Sequence, residues 1–179
     1  MSKYLINKNE ISVDQIIPRL WLGNYKTALN LDFLSSNNIN YIVNCTPDIP
    51  FINNIYNLPN NIETFRIPVY DSLLEKDILL MEQYFKIIIP LLLRKYTIEN
   101  KNILIHCHVG KQRSAIVVAA LLKVLLDYKY INIKEIPSKT NKYNQFNYIY
   151  NYMLLKRPKV FSYGLRVNFQ KSFNRYFNL

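Results

Sequence analysis

Glycine and cysteine are scarce in this chain: three glycines and two cysteines stand among 179 residues. Two cysteines do not build a disulfide scaffold, which argues for a reducing compartment and a cytoplasmic chain, with the nucleus also open to it. Acidic residues are few as well. Twelve Asp and Glu face 23 Lys and Arg, leaving a net charge of +11. Such a field attracts anions: phosphoproteins, anionic lipid or nucleic acid. Heavy use of Asn, Ile, Lys and Tyr, as in AT-rich genomes, offers a second account of the same charge. Long hydrophobic runs are missing. The longest candidate, "IIIPLLL" at Ile87–Leu93, holds Pro90 and falls far short of the roughly 20 residues of a membrane span. The opening "MSKYLINKNE" has no apolar signal core, so export is not expected. No Cys/His spacing resembles a zinc site, and neither metal nor cofactor is expected. Nothing in the residues speaks to oligomeric state.

What is present is a globular composition. Half of the residues are hydrophobic and 14% aromatic, and a chain of this length fits one domain, residues 1–179, with its own core. No repeat, linker or low-complexity tail interrupts it. "IIPRLWLGN" is extended and ends at Gly23. "YKTALNLDFLSSNN" has helical spacing, and "INYIVNC" is a short branched strand. "TPDIPFINNIYNLPNN" is loop. "IETFRIPV" is a strand, "YDSLLEK" a loop, and "DILLMEQYFKIIIPLLLRKY" a long helix with Asp77 as its N-cap. "NILIHC" is a strand and "SAIVVAALLKVLLDY" a helix. The last third is helical, interrupted by "IPSKTNKYN". This alternation predicts an α/β fold, a central mostly parallel sheet of about five strands flanked by helices. Ligands in such folds bind at the carboxyl ends of strands.

One turn spends one of the cysteines and one of the glycines together. In "ILIHCHVGKQRSAIVVAALL", Cys107 ends a strand and Ser114 begins a helix. The residues between must curl tightly, and Gly110 takes a positive φ there at little cost. A curled turn at a helix N-terminus gathers backbone N–H groups into an anion-binding cup. Arg113 adds a planar, permanently charged fork that matches phosphate oxygens. The cup surrounds the sulfur of Cys107, and such surroundings lower a thiol pKa from about 8.5 to roughly 3.5–7.5. A thiolate in an oxyanion-binding pocket favours nucleophilic attack on phosphorus.

His106-Cys107, five residues, then Arg113-Ser114 resembles the phosphate loop of the cysteine-based protein tyrosine phosphatases. The wider chain is similar to one branch, the dual-specificity phosphatases. "IIPRLWLGNYKTALNLDFLSSNNINYIVNCT" resembles that branch's opening elements, "IPVYDSLLEKDI" its general-acid loop, "RSAIVVAALL" its post-loop helix, and "KRPKVFSYGLRVNFQKSF" its closing segment. Two departures stand out. The stretch from Ile136 to Asn144 resembles an insertion, and Ser162-Tyr163 replaces a frequent Pro-Asn.

The resemblance implies roles. Cys107 is the nucleophile that becomes phosphocysteine. Arg113 holds phosphate oxygens, and the backbone of His108, Val109, Gly110, Lys111, Gln112 and Arg113 holds the others. Ser114 hydrogen-bonds the sulfur, and His106 orients the loop and supports the thiolate from behind. Asp71 of "VYD" is the general acid, with Asp77 the competitor. Arg113 and the loop supply the charge a metal would otherwise bring. Cys45 is a redox partner for Cys107, since neighbouring strands of an α/β sheet bring their ends side by side. The implied activity is hydrolysis of phosphotyrosine and phosphoserine or phosphothreonine in proteins. Gly110-Lys111-Gln112-Arg113 is similar to the G-K-x-R loop of some phosphoinositide phosphatases, which keeps lipid substrates as the alternative, with Lys111 and His108 as the residues that would contact extra phosphates. An RNA 5′-triphosphatase ranks third because Val109, Gln112 and Ser114 depart from its loop, so nucleic acid is the weakest partner. A catalytically silent phosphate-binding module is the reading from another class, opposed by the joint presence of Cys107, Arg113 and Asp71.

Overall fold

Branched and aromatic side chains fill the stretches that pair into a sheet. The computed structural model describes residues 10–55, 62–137, 141–164 and 166–179, with the backbone alone at 142 and 143. Its five-stranded sheet contains β1 (Val13–Ile17), β2 (Leu20–Asn24), β3 (Tyr41–Asn44), β4 (Glu63–Arg66) and β5 (Ile103–Cys107). The order across the sheet is β1-β2-β5-β3-β4. All neighbours run parallel except β1, which pairs antiparallel with β2 at one edge. This is the mostly parallel α/β arrangement that the alternating elements predict.

Because side chains alternate along a strand, the sheet feeds two cores, one on each face. Two short helices, α1 (Tyr25–Ala28) and α2 (Leu31–Ser36), cover one face. There Ala28, Leu29 and Leu34 join Ile42 and Leu104. Four helices cover the other face: α3 (Glu75–Thr97), α4 (Arg113–Asp127), α5 (Lys142–Lys156) and α6 (Gln170–Phe177). There Phe85, Leu121, Ile149 and Phe173 join Leu22, Val43 and Ile105. Burying each such side chain stabilises the fold by about 1.5–3 kcal/mol. Every residue of α4 from Arg113 to Leu125 is buried, so this helix lies inside the molecule, as its unbroken apolar run implies. Its one lysine, Lys123, is satisfied by Asp127 at 2.7 Å and by Gln145 of α5 at 2.6 Å.

Four sequence-based expectations need revision. The extended "IIPRLWLGN" is two strands, not one: the chain reverses at Pro18-Arg19, with Arg19 at φ 65°. The "YKTALNLDFLSSNN" helix is split, because Asn30 leaves the helical conformation and its side chain caps the new N-terminus at Phe33 N–H, 2.8 Å away. Asp77 is not the N-cap of α3. The helix begins two residues earlier, after Leu74, and Asp77 sits in the first turn, buried, accepting a hydrogen bond from the Ser72 hydroxyl. Finally, the Ile136–Asn144 stretch is not wholly an interruption, since α5 already starts at Lys142. Residues 138–140 of that stretch lie outside the described residues.

Candidate active site

β5 is the central strand, and its carboxyl end carries the site. Cys107 is its last residue and Arg113 is the first of α4, so five residues make the whole connection. Gly110 sits at the tightest point with φ +74°. A Cβ there would also lie 2.5 Å from the Gly23 carbonyl oxygen and 3.0 Å from Nη2 of Arg157. Conformation and space both demand glycine at this position.

The carbonyls of this loop are gripped from outside. Tyr25 N–H donates to the His108 carbonyl at 3.4 Å and Phe161 N–H to that of Lys111 at 2.9 Å. Between them, Arg157 donates through Nη2 to Val109 at 3.3 Å and through Nε to Gly110 at 2.9 Å. Arg157 is itself buried and anchored by the Asp14 carboxylate at 2.5 Å and the Ser12 hydroxyl at 2.9 Å. In a trans peptide the N–H points opposite to the C=O. Four carbonyls held outward therefore turn the N–H groups of Val109, Gly110, Lys111 and Gln112 inward.

The Gly110 N–H donates to Sγ of Cys107 at 3.2 Å, and the Ser114 hydroxyl donates to the same sulfur at 3.2 Å. Burial by itself would raise the Cys107 thiol. The Arg113 charge, the Ser114 hydroxyl and the N–H groups of Ser114 and Gly110 outweigh it and hold the thiol below its ordinary value. His106 is fully enclosed, and burial pushes its imidazole down to about 3, so it is neutral and brings no positive charge to the sulfur. Its Nδ1 lies 3.4 Å from the Cys107 carbonyl oxygen.

Arg113 Nη1 donates to the Val69 carbonyl at 3.1 Å, tying α4 to the loop that carries Asp71. Its buried Nε has no hydrogen-bond partner and lies 3.8 Å from Oδ2 of Asp71. Asp71 is thus brought to the cup, whereas Asp77 is locked to Ser72. Asp71 also accepts from Asn168 Nδ2 at 3.0 Å on Oδ1 and from the Tyr163 hydroxyl at 3.2 Å on Oδ2. Gln112 holds that last segment in place: Nε2 donates to the Tyr163 carbonyl at 2.5 Å, and Oε1 accepts the Asn168 N–H at 3.0 Å. His108 and Val109 are exposed at the rim, with the His108 ring 4.9 Å from that of Tyr25, and Lys111 is half-buried.

Cys45 lies one residue beyond the paired Asn44 and His106, on the same sheet face as Cys107, and its N–H donates to the His106 carbonyl at 2.8 Å. Both thiols are free. Burial, and then the neighbouring Cys107, push the Cys45 thiol up, opposite to Cys107. Among the described residues, no cluster of three His, Cys, Asp or Glu side chains could hold a metal, and no helix is long and apolar enough to cross a membrane.

Two residues at the site, Arg157 and Asn168, carry no function in the sequence reading, and Gln112, expected to offer only its backbone N–H, also acts through its side chain. All are reached through tertiary contacts. The only local signals are Arg-Pro after a helix and an asparagine amid apolar residues.

The chain belongs to the dual specificity phosphatase family, whose catalytic domain matches residues 20–145. Human dual specificity protein phosphatase 6 is 29% identical over 137 residues, covering 75% of this chain and 34% of that protein. The chain therefore spans about a third of that relative's length. Among solved structures, the Yvh1 phosphatase domain from Chaetomium thermophilum superposes with a TM-score of 0.67 at 17% identity, covering 93% of this chain and 96% of that one. OH1 from the Orf virus, a tyrosine phosphatase, superposes with a TM-score of 0.64 at 18% identity, covering 92% and 86%. These two likenesses show the fold.

The opposed shifts of the two thiols lead to a test. Iodoacetate labelling followed by peptide mass mapping is expected to modify Cys107 at pH values below about 8.5, the ordinary thiol value, and to spare Cys45. Ser114→Ala removes one donor to the sulfur and is expected to move the Cys107 labelling midpoint upward. Equal labelling of both thiols, or a midpoint indifferent to Ser114, would contradict the assigned electrostatics.

Proposed function

We propose that this chain hydrolyses phosphate monoesters on tyrosine and on serine or threonine side chains of proteins, through a phosphocysteine intermediate. The observation that carries the reading is Sγ of Cys107, which accepts from Gly110 N–H and Ser114 Oγ, both at 3.2 Å. Family membership supports the same activity.

The chemistry follows from the residues around the sulfur. The Cys107 thiolate attacks phosphorus in line with the ester oxygen. As the S–P bond forms, the P–O bond breaks, and Asp71 gives its proton to the leaving oxygen. The loop N–H groups and the Arg113 guanidinium hold the non-bridging oxygens, where charge concentrates. In the second step water attacks the phosphocysteine, Asp71 takes its proton, and the thiolate departs with the Ser114 hydroxyl donating to it. The net positive charge of the chain brings anionic phosphoproteins to the cup. Lys111 and His108 stand at the rim, where further phosphates of an inositol lipid would lie.

Cys45 enters the proposal as a guard. Peroxide converts the Cys107 thiolate to a sulfenic acid; the Cys45 sulfur displaces its hydroxyl as water, and the disulfide is later reduced by an added thiol. Adjacent strands lie about 4.8 Å apart, within disulfide reach. After mild peroxide and then thiol, wild type is expected to regain activity and Cys45→Ser to regain less. Equal recovery would remove the guard role.

The acid assignment is tested by a leaving-group series of aryl phosphates. Cys107→Ser is expected to abolish turnover yet still bind phosphate. Asp71→Asn is expected to slow poor leaving groups by roughly 10²–10⁴ and good ones much less. A uniform loss across the series would place the acid elsewhere. The same assay with phosphopeptides, phosphoinositides and 5′-triphosphate RNA ranks the substrate classes, and a preference for either of the last two would overturn the protein-phosphatase reading.

A further inference from the structure

The two oxygens of Asp71 are engaged differently. Oδ1 accepts from Asn168 Nδ2 at 3.0 Å. Asn168 is buried and fixed: its N–H is bound by Gln112, and its amide fills the space beside Gly164. A Cβ on Gly164, which has φ +82°, would come within 2.5 Å of Asn168 Oδ1. While Asn168 stays bound, Oδ1 has its accepting position filled, so the oxygen free to carry and pass on the acid proton, once the Tyr163 hydroxyl has left, is Oδ2. That is also the oxygen facing the cup, 3.8 Å from Nε of Arg113.

A leaving-group oxygen must approach Oδ2 to receive that proton, within hydrogen-bond distance. A phenolic oxygen already stands there: the Tyr163 hydroxyl, 3.2 Å from Oδ2. Burial, and then the Asp71 carboxylate, push the Tyr163 phenol above its ordinary value, so it stays protonated and acts as the donor. The backbone of Tyr163 is tethered by Gln112. Its side chain is not enclosed, for the residue is 50% exposed. Tyrosine here is also where the sequence departs from the frequent Pro-Asn, and it lies beyond the stretch, residues 20–145, that the family's catalytic domain matches.

We propose that Tyr163 is a built-in mimic of the leaving phenol, occupying on Oδ2 of Asp71 the place that a substrate's ester oxygen must take. Aryl phosphates then compete with the chain's own tyrosine, which swings out as they enter. Asn168 keeps Asp71 oriented while this exchange occurs, so Asn168 is a positioning residue and Tyr163 an autoinhibitory one. The inference rests on the phosphatase reading for the role of Asp71, but the competition is measurable without turnover.

The test uses the full chain in a Cys107→Ser background, with phenyl phosphate and inorganic phosphate as calorimetric probes. Tyr163→Phe keeps the ring and removes the competing hydroxyl. It is expected to tighten phenyl phosphate about 3- to 10-fold, the value of one exchanged hydrogen bond, and to leave inorganic phosphate, which has no ester oxygen, unchanged. In the Cys107 enzyme the same substitution is expected to raise kcat/KM for aryl phosphates by a similar factor, with the leaving-group dependence of kcat unaltered. Phenyl phosphate bound no more tightly, or kcat lowered with a steeper leaving-group dependence, would overturn the proposal and make Tyr163 a positioning residue. The two readings fail separately. Absent turnover in wild type with tighter phenyl phosphate binding in Tyr163→Phe removes hydrolysis alone. Normal turnover with unchanged binding removes the competition alone.

Discussion

The site depends on how Arg157 holds two backbone carbonyls. A loop of five residues between a strand and a helix has no hydrogen-bonded ladder of its own, and its peptide planes must be oriented by something outside it. Arg157 supplies a rigid fork of donors, with Nε on Gly110 and Nη2 on Val109. Turning those oxygens out turns the next N–H groups in, and one of them meets the Cys107 sulfur. The arrangement costs the burial of a guanidinium, which Asp14 and the Ser12 hydroxyl offset. The antiparallel edge strand β1 thus has a chemical consequence, because it places Asp14 beneath the loop.

A second set of contacts links the loop after Cys107 to Asp71. Gln112 lies within the loop after Cys107, yet its side chain grips the segment bearing Tyr163 and Asn168, and Asn168 holds Asp71. Arg113 reaches the same loop through the Val69 carbonyl. The cup and Asp71 are therefore set relative to each other by the side chains of two adjacent residues, Gln112 and Arg113, and a shift in one moves the other. Proximity of this kind is where a small displacement costs most in rate.

Much of the centre of the fold was legible in the residues. β5, the loop and α4 follow from a branched strand, a lone glycine and an unbroken apolar helix, and Gly110 takes the positive φ that the turn requires. The reversal at Pro18-Arg19 was missed because it uses neither Asn-Gly nor Asp-Gly. Its left-handed residue is an arginine, which carries no turn signal. The break between α1 and α2 was hidden by continuous helical spacing, and only Asn30, acting as a cap, betrays it. Asp77 reads as a cap from its place before an apolar run, but the helix extends back over Glu75 and Lys76. The side-chain contacts of Arg157, Asn168 and Gln112 were opaque for a different reason: the bonds from Arg157 to Gly110 and from Asn168 to Asp71 span 47 and 97 residues. No local pattern encodes contacts of that range.

The most direct measurement of the central claim is the thiolate titration of Cys107 in Arg157→Lys, followed at 240 nm with the folded state checked by circular dichroism. Lysine keeps the charge near Asp14 and loses the fork, so the Val109 and Gly110 carbonyls are no longer held as a pair. The account predicts a folded protein whose Cys107 titrates higher than in wild type, toward the ordinary value of about 8.5, with phosphate binding weakened in step. A folded variant with an unchanged Cys107 midpoint would contradict it.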